Sequence, residues 1–187
     1  MIGNDIQLAT FGGGCFWCIE AIFNEVKGVE KVISGYTGGN VPGSPTYREV
    51  SSGLTGHAEA VKVTFDASII SYEDLLFIFM TCHDPTTSNI KEAYIGSQYR
   101  SVIYYHNEHQ KEIAKAIVKE MTSYFEGSIT TEISSAVNFY VAEDYHQKYF
   151  ANNQTASYCN AIIAPKLAKF RKMHARKLKN LNSKMKI

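Results

Sequence analysis

The sequence predicts an α+β protein, one sheet with helices packed on it. Segments of strand period interleave with segments of helical period. Tight glycine-rich turns favour some antiparallel pairing. With 187 residues, 45% hydrophobic and 20% charged, and no internal repeat or linker, the chain suits one domain over residues 1–187 with a sizeable core.

Ile6 to Phe11 reads as a short apolar strand. It leads into Gly12-Gly13-Gly14-Cys15-Phe16-Trp17-Cys18, then into a helix whose stripe is Phe16, Ile19, Ile22, Phe23 and Val26. Lys31 to Tyr36 is a second strand, and residues 37–45 are a loop by composition, followed directly by Tyr47. Along His57 to Phe65, alternation puts Glu59, Val61, Val63 and Phe65 on one face and Lys62 and Thr64 on the other. Ser71 caps a helix with acidic Asp74 at its third position, which His83-Asp84-Pro85 ends. Tyr99 to Tyr105 is a strand showing Tyr99, Ser101, Ile103 and Tyr105 on one face. Asn107 with Gln110 caps a long helix with the stripe Ile113, Ile117, Met121 and Phe125. Thr130 to Phe139 is a weaker strand, Glu143 to Phe150 a short helix, residues 152–159 polar and irregular, and residues 162–179 helical.

No apolar run reaches the roughly 18 residues of a membrane span, and the first residues show no secretory pattern. Cys15, Cys18, Cys82 and Cys159 could form two disulfides, but a chain this long does not need staples. A cytoplasmic enzyme with reactive cysteines is the expectation. Net charge is +1, yet from Pro165 onward there are nine Lys/Arg and no Asp/Glu, leaving a balance of −8 before it. Such a tail could touch nucleic acid or an anionic surface. Without aromatic–basic interleaving or an amphipathic pattern after Phe170, it reads instead as a solvated, partly frayed helix.

Cys15 falls at a helix start, where unpaired N–H groups and the helix dipole favour a thiolate. Cys15 and Cys18 form a C-x-x-C, which alone suggests a thioredoxin-like redox motif. A zinc pair lacks the second C-x-x-C or spaced histidines that would complete it, so no metal is expected. Cys18 reads equally as a redox partner or a small buried hydrophobe. Cys82, behind Leu76 and Phe79, reads as core. Glu59 on an apolar face is either a core acid paired with a base or a desolvated, protonated one.

Ala9-Thr10-Phe11-Gly12-Gly13-Gly14-Cys15-Phe16-Trp17-Cys18 resembles the active-site motif of A-type peptide methionine sulfoxide reductases. So do Tyr36-Thr37-Gly38-Gly39, Pro45 to Val50, Gly56-His57-Ala58-Glu59-Ala60-Val61, His83-Asp84-Pro85-Thr86, Gln98-Tyr99-Arg100-Ser101 and Ala142 to Gln147, in family order. The resemblance covers about residues 8–170, with 171–187 as a basic tail. It implies a two-layer α/β sandwich, a ferredoxin-like mixed sheet with helices on it. It implies thiol-dependent reduction of methionine-S-sulfoxide, free or in oxidised proteins. On the matching positions, Cys15 attacks the sulfur and Glu59 supplies a proton. Tyr47 and Tyr99 hydrogen-bond the substrate oxygen, and Phe16 and Trp17 wall the methyl pocket.

The resolving cysteine implied is Cys159, with Cys18 the other candidate, possible as a relay. Thioredoxin, or dithiothreitol in vitro, is the reductant, and no metal or organic cofactor is implied. A monomer without nucleic-acid or membrane partners is the expectation. Gly13, Gly14 and His57 fall behind the site. Two positions depart from the family: Tyr94 replaces a usual acidic residue, with Glu92 as a substitute, and Asn160 stands where glycine follows the resolving cysteine in some relatives. The alternative is a general C-x-x-C disulfide oxidoreductase. None of Pro42, Pro45, Pro85 and Pro165 stands where a thioredoxin-type cis-proline belongs.

Overall fold

Residue alternation sets the two faces of the sheet. The computed structural model describes residues 5–86 and 96–179. Six strands in these residues pair in one mixed sheet: β1 (Ile6–Gly12), β2 (Val29–Thr37), β3 (Ala58–Asp66), β4 (Val102–Tyr105), β5 (Glu132–Ser135) and β6 (Phe139–Val141). Their order is β5-β4-β1-β3-β2-β6, antiparallel throughout except for β4 with β5. Ala9 and Phe11 of β1, and Glu59, Val61, Val63 and Phe65 of β3, point to the helical side and are buried there. Phe11 stacks on Phe23, Tyr72 and Phe79, which ties strand to helices.

The helices are α1 (Phe16–Asn24), α2 (Tyr47–Ser51), α3 (Tyr72–Cys82), α4 (Glu108–Met121), α5 (Tyr149–Asn152) and α6 (Ala164–Met173). Ser71 Oγ accepts from Asp74 N at 3.1 Å and Asn107 Oδ1 from Gln110 N at 2.9 Å, as the cap residues predict. Helix α2 is not legible from hydrophobic period, being one turn long. It rests on a capping box, with Thr46 Oγ1 accepting from Glu49 N and Glu49 Oε2 from Thr46 N.

Four expected elements differ. Residues 97–99 form a 3₁₀ turn rather than the start of β4, because Tyr99 N bonds back to Gly96 O. The strand expected over Thr130 to Phe139 is two strands, β5 and β6, at opposite edges of the sheet. Only three residues join them, a reach of at most about 14 Å, whereas a flat six-stranded sheet is about 24 Å wide. The sheet is therefore curled. Tyr104 of β4 reaches across to Thr37 O of β2 at 3.4 Å, and Ala58, Val102 and Tyr104 form a small second core inside the curl.

The helix expected over Glu143 to Phe150 is broken into a 3₁₀ turn (Asp144–His146) and α5. Between them Lys148 takes a left-handed conformation, φ 52°. Finally, the region expected as one helix over 162–179 is a π-helical turn (Cys159–Ile163), α6 and a 3₁₀ turn (Ala175–Lys177).

The basic tail, as far as Lys179, is docked rather than frayed. Arg171 pairs bidentately with Glu25 at 2.8 and 2.5 Å, Lys177 pairs with Asp74, and Leu178 bridges Val26. Lys179 Nζ donates to Asn24 O at 2.9 Å, placing a cation at the negative end of α1.

Candidate active site

β1 delivers the chain to α1 through three glycines. A Cβ on Gly12 would meet Glu59 O at 2.9 Å, and one on Gly13 would meet Phe79 at 2.9 Å and His83 at 3.0 Å. Gly14 has φ +78° and donates its N–H to Tyr99 O at 3.0 Å. The turn thus lies against β3 and α3 and ends on Cys15, the N-cap of α1.

Glu59, 1% exposed, points at the same turn, and its Oε2 accepts from Phe16 N at 3.0 Å. Burial raises its pKa to about 8, against the opposing effect of that hydrogen bond. The open alternative for Glu59 is decided: it is a desolvated acid, and none of the described ion pairs contains it.

Cys15 differs from its expected state. A hydrogen bond to Cys18, burial and the nearby Glu59 push its pKa well up, so the resting group is a thiol. Two first-turn amides are already used: Phe16 N serves Glu59, and Cys18 N donates to Cys15 O at 3.1 Å. The side-chain hydrogen bond with Cys15 draws Cys18 down to about 7, with Lys166 and Tyr158 assisting. Cys159 is buried in the π-helical turn, its thiol raised by burial and by Cys18. The structure therefore brings Cys15, Cys18 and Cys159 into one neighbourhood. Cys82, half-buried with its thiol donating to Phe79 O at 3.1 Å, is pushed to about 12 by burial.

Phe16 is fully buried between Tyr36 and His146, with ring centroids 5.8 and 5.2 Å away. Trp17 is half-buried and stacks on Tyr149 at 3.6 Å with the planes 5° apart, while Tyr158 meets it edge-on at 5.6 Å. Trp17 Nε1 donates to His146 Nδ1 at 3.0 Å. The imidazole, its pKa lowered by burial, is therefore neutral with its proton on Nε2, 3.8 Å from Glu143. The Tyr47 ring centre lies 4.4 Å from that of His146, and burial first, then the neighbouring acidic groups Glu59 and Cys15, raise its pKa. Glu143 accepts from Tyr36 OH at 2.7 Å and Tyr47 N at 2.8 Å, which fixes the start of α2.

Tyr99 sits beside the glycine turn, its carbonyl accepting from Gly14 N at 3.0 Å. It lines a cavity of about 660 Å³ bordered by Gly13, Gly14, Cys82 and His83, whose lining includes neither Cys15 nor Glu59. His57 is buried and accepts from Gly39 N at 3.0 Å, so it shapes the loop after β2. Tyr94 and Glu92 lie outside the described residues. Among the described residues, no group of three His, Cys, Asp or Glu could hold a metal ion, and no helix is long and apolar enough to cross a membrane. Sequence period missed His146, Tyr149, Tyr158 and Glu143, since they meet Trp17 and Tyr47 across about a hundred residues or more. For Glu143 and His146 the signal was the block Ala142 to Gln147, quoted for resemblance but without a role; Tyr149 and Tyr158 lie outside it.

The sequence profile of the family described as peptide methionine sulfoxide reductase matches residues 7–179. The chain belongs to this family. Relatives named peptide methionine sulfoxide reductase MsrA include one from Pasteurella multocida, 52% identical over 163 residues, which are 87% of this chain and 93% of that one. Another, from Saccharolobus solfataricus, is 47% identical over 93% of this chain and 98% of its own. Among solved structures, reduced Mxr1 from Saccharomyces cerevisiae aligns with TM-score 0.75 at 31% identity, over 82% of this chain and 89% of that one. Methionine sulfoxide reductase A of Corynebacterium diphtheriae aligns at 0.72 and 32%, over 83% and 78%. Mxr1 in complex with Trx2, at TM-score 0.54 and 22% identity over 80% and 90%, shares the fold. This reductase is an oxidoreductase of methionine sulfoxide, and its curled mixed sheet with packed helices is the architecture of those structures.

Proposed function

We propose that the chain reduces the S epimer of methionine sulfoxide, free or in oxidised proteins, with Cys15 as nucleophile and Glu59 as proton donor. The observation that carries this reading is the buried Glu59, protonated to about pH 8, against the amide beside Cys15. A sulfoxide sulfur becomes electrophilic when its oxygen is protonated, and Glu59 can give that proton in a site shielded from water. Cys15 Sγ bonds the sulfur, and its own proton passes to the Cys18 thiolate. The oxygen, carrying the Glu59 proton, shifts from the substrate sulfur to Sγ: the S–O bond to the substrate and the Sγ–sulfur bond break, an Sγ–O bond forms, methionine leaves, and Cys15 is left as a sulfenic acid. Tyr47, facing Cys15 and Glu59, donates to the oxygen as it gains charge. Tyr99, held beside the turn by its carbonyl bond to Gly14 N, is the second donor to that oxygen. Trp17 forms the apolar wall for the methyl group, with Phe16 packed behind it.

The hydrogen bond between Cys15 and Cys18 favours Cys18 as first resolver: its thiol displaces the sulfenic hydroxyl as water and a Cys15–Cys18 disulfide forms. Cys159 then exchanges with that disulfide, and thioredoxin regenerates the dithiol, a partnership supported by the complex of yeast Mxr1 with Trx2. The compartment is the cytoplasm and the chain acts as a monomer without a cofactor. The test is single-turnover reduction of the separate S and R epimers without added reductant. Stoichiometric methionine from the S epimer alone, lost in Cys15→Ser, is expected. Turnover retained in that variant, or equal use of both epimers, refutes the reading.

A further inference from the structure

We propose that Glu20 is a positioning residue for the substrate pocket, setting the Tyr149 ring against Trp17 by holding the backbone of Lys148 and Tyr149. This rests on the reductase reading above. Glu20 lies on α1, 1% exposed, within the same helix that Cys15 caps. Its Oε1 accepts from Lys148 N at 2.7 Å and its Oε2 from Tyr149 N at 3.2 Å. A buried carboxylate with two backbone donors is a costly group to retain in a core, and this one anchors nothing of its own helix.

What it anchors is the left-handed turn between Gln147 and α5. Lys148 has φ 52°, a left-handed conformation that costs a non-glycine residue about 1–2 kcal/mol. On the preceding side Gln147 mimics a strand, accepting from Ser34 N at 3.0 Å and donating to Ser34 O at 2.9 Å and Ala142 O at 3.0 Å. Glu20 completes the clamp. With residue 147 pinned to β2 and residues 148 and 149 pinned to α1, the chain must turn at Lys148. That turn presents Tyr149 flat on the indole, 3.6 Å away. One helix then carries Cys15, Trp17 and the group that places the ring over Trp17.

Trp17 is the only tryptophan of the chain, so its emission reports the stack independently of activity. In Glu20→Gln the amide keeps one acceptor but sets an N–H group against the Tyr149 N–H. The expected result is altered Trp17 emission and about a tenfold rise in the half-saturating sulfoxide concentration in single turnover, the effect of roughly one buried hydrogen bond. The saturated rate should stay close to that of the unaltered chain. Adding Lys148→Gly, which relieves the left-handed turn, should restore emission and half-saturation together. Tyr149→Leu, with Glu20 intact, should reproduce the half-saturation shift if Glu20→Gln does not fold. Unaltered emission in Glu20→Gln, or a defect that Lys148→Gly leaves in place, overturns the proposal, as does Tyr149→Leu with normal half-saturation. If the unaltered chain reduces no sulfoxide, the reductase reading fails while the emission of Glu20→Gln and its glycine rescue still report on the clamp.

Discussion

A carboxyl group that stays protonated to about pH 8 has consequences for both rate and stability. Proton donation from Glu59 should fade as pH rises through about 8, and Glu59→Gln should slow the first step about a hundredfold or more, in the pH range where the acid is intact. Single-turnover rates across pH check this. Stability follows the same group by linkage. Below about pH 4.5, Glu59 is protonated in both folded and unfolded states. Between there and about 8 only the unfolded chain ionises, so stability falls as pH rises, by an amount on the order of several kcal/mol. Denaturant titrations should show Glu59→Gln lacking that component of the fall. A steeper pH dependence in the variant would contradict the assignment. The alternation along His57 to Phe65 already put Glu59 among apolar neighbours, so this part of the site was legible. The protonation state of Cys15 was not, because helix position alone does not reveal that Phe16 N and Cys18 N are already engaged.

Elements built from one local rule were read correctly, and those that depend on distant partners were not. Capped α3 and α4 follow from Ser71 and Asn107, whereas the break at Lys148 is held by Glu20, 128 residues away, and by the neighbouring Gln147 through its bonds to Ser34 on β2. Two substitutions test the local rules. Gly14→Ala meets no atom within 4 Å, so its cost is that of the positive φ alone, about 1–2 kcal/mol in denaturant unfolding. Thr46→Ala removes the capping box of α2 and should cost about 1 kcal/mol; because Tyr47 opens that helix, slower single turnover should accompany it. Normal turnover in Thr46→Ala would show that Glu143, through Tyr47 N, holds the helix start unaided.

At the scale of the whole chain, the C-terminal segment closes the fold against the far end of α1. Arg171, Lys177 and Lys179 join α6 and the tail to Glu25, Asp74 and Asn24. A chain ending at Met173 should lose on the order of 1–3 kcal/mol, chiefly through Leu178 and the backbone bridge, since exposed ion pairs give little each. An unchanged unfolding midpoint would show that the segment lies on the fold without supporting it. Charge composition disclosed the excess of cations but could not show that acidic partners await them on α1 and α3.

The curl of the sheet has one more effect. Its two edges are strands of four and three residues, and the chain passes directly from one to the other. A neighbouring molecule therefore meets only a short row of backbone donors and acceptors on which to add a strand. The fold thus offers little ladder on which another chain could aggregate.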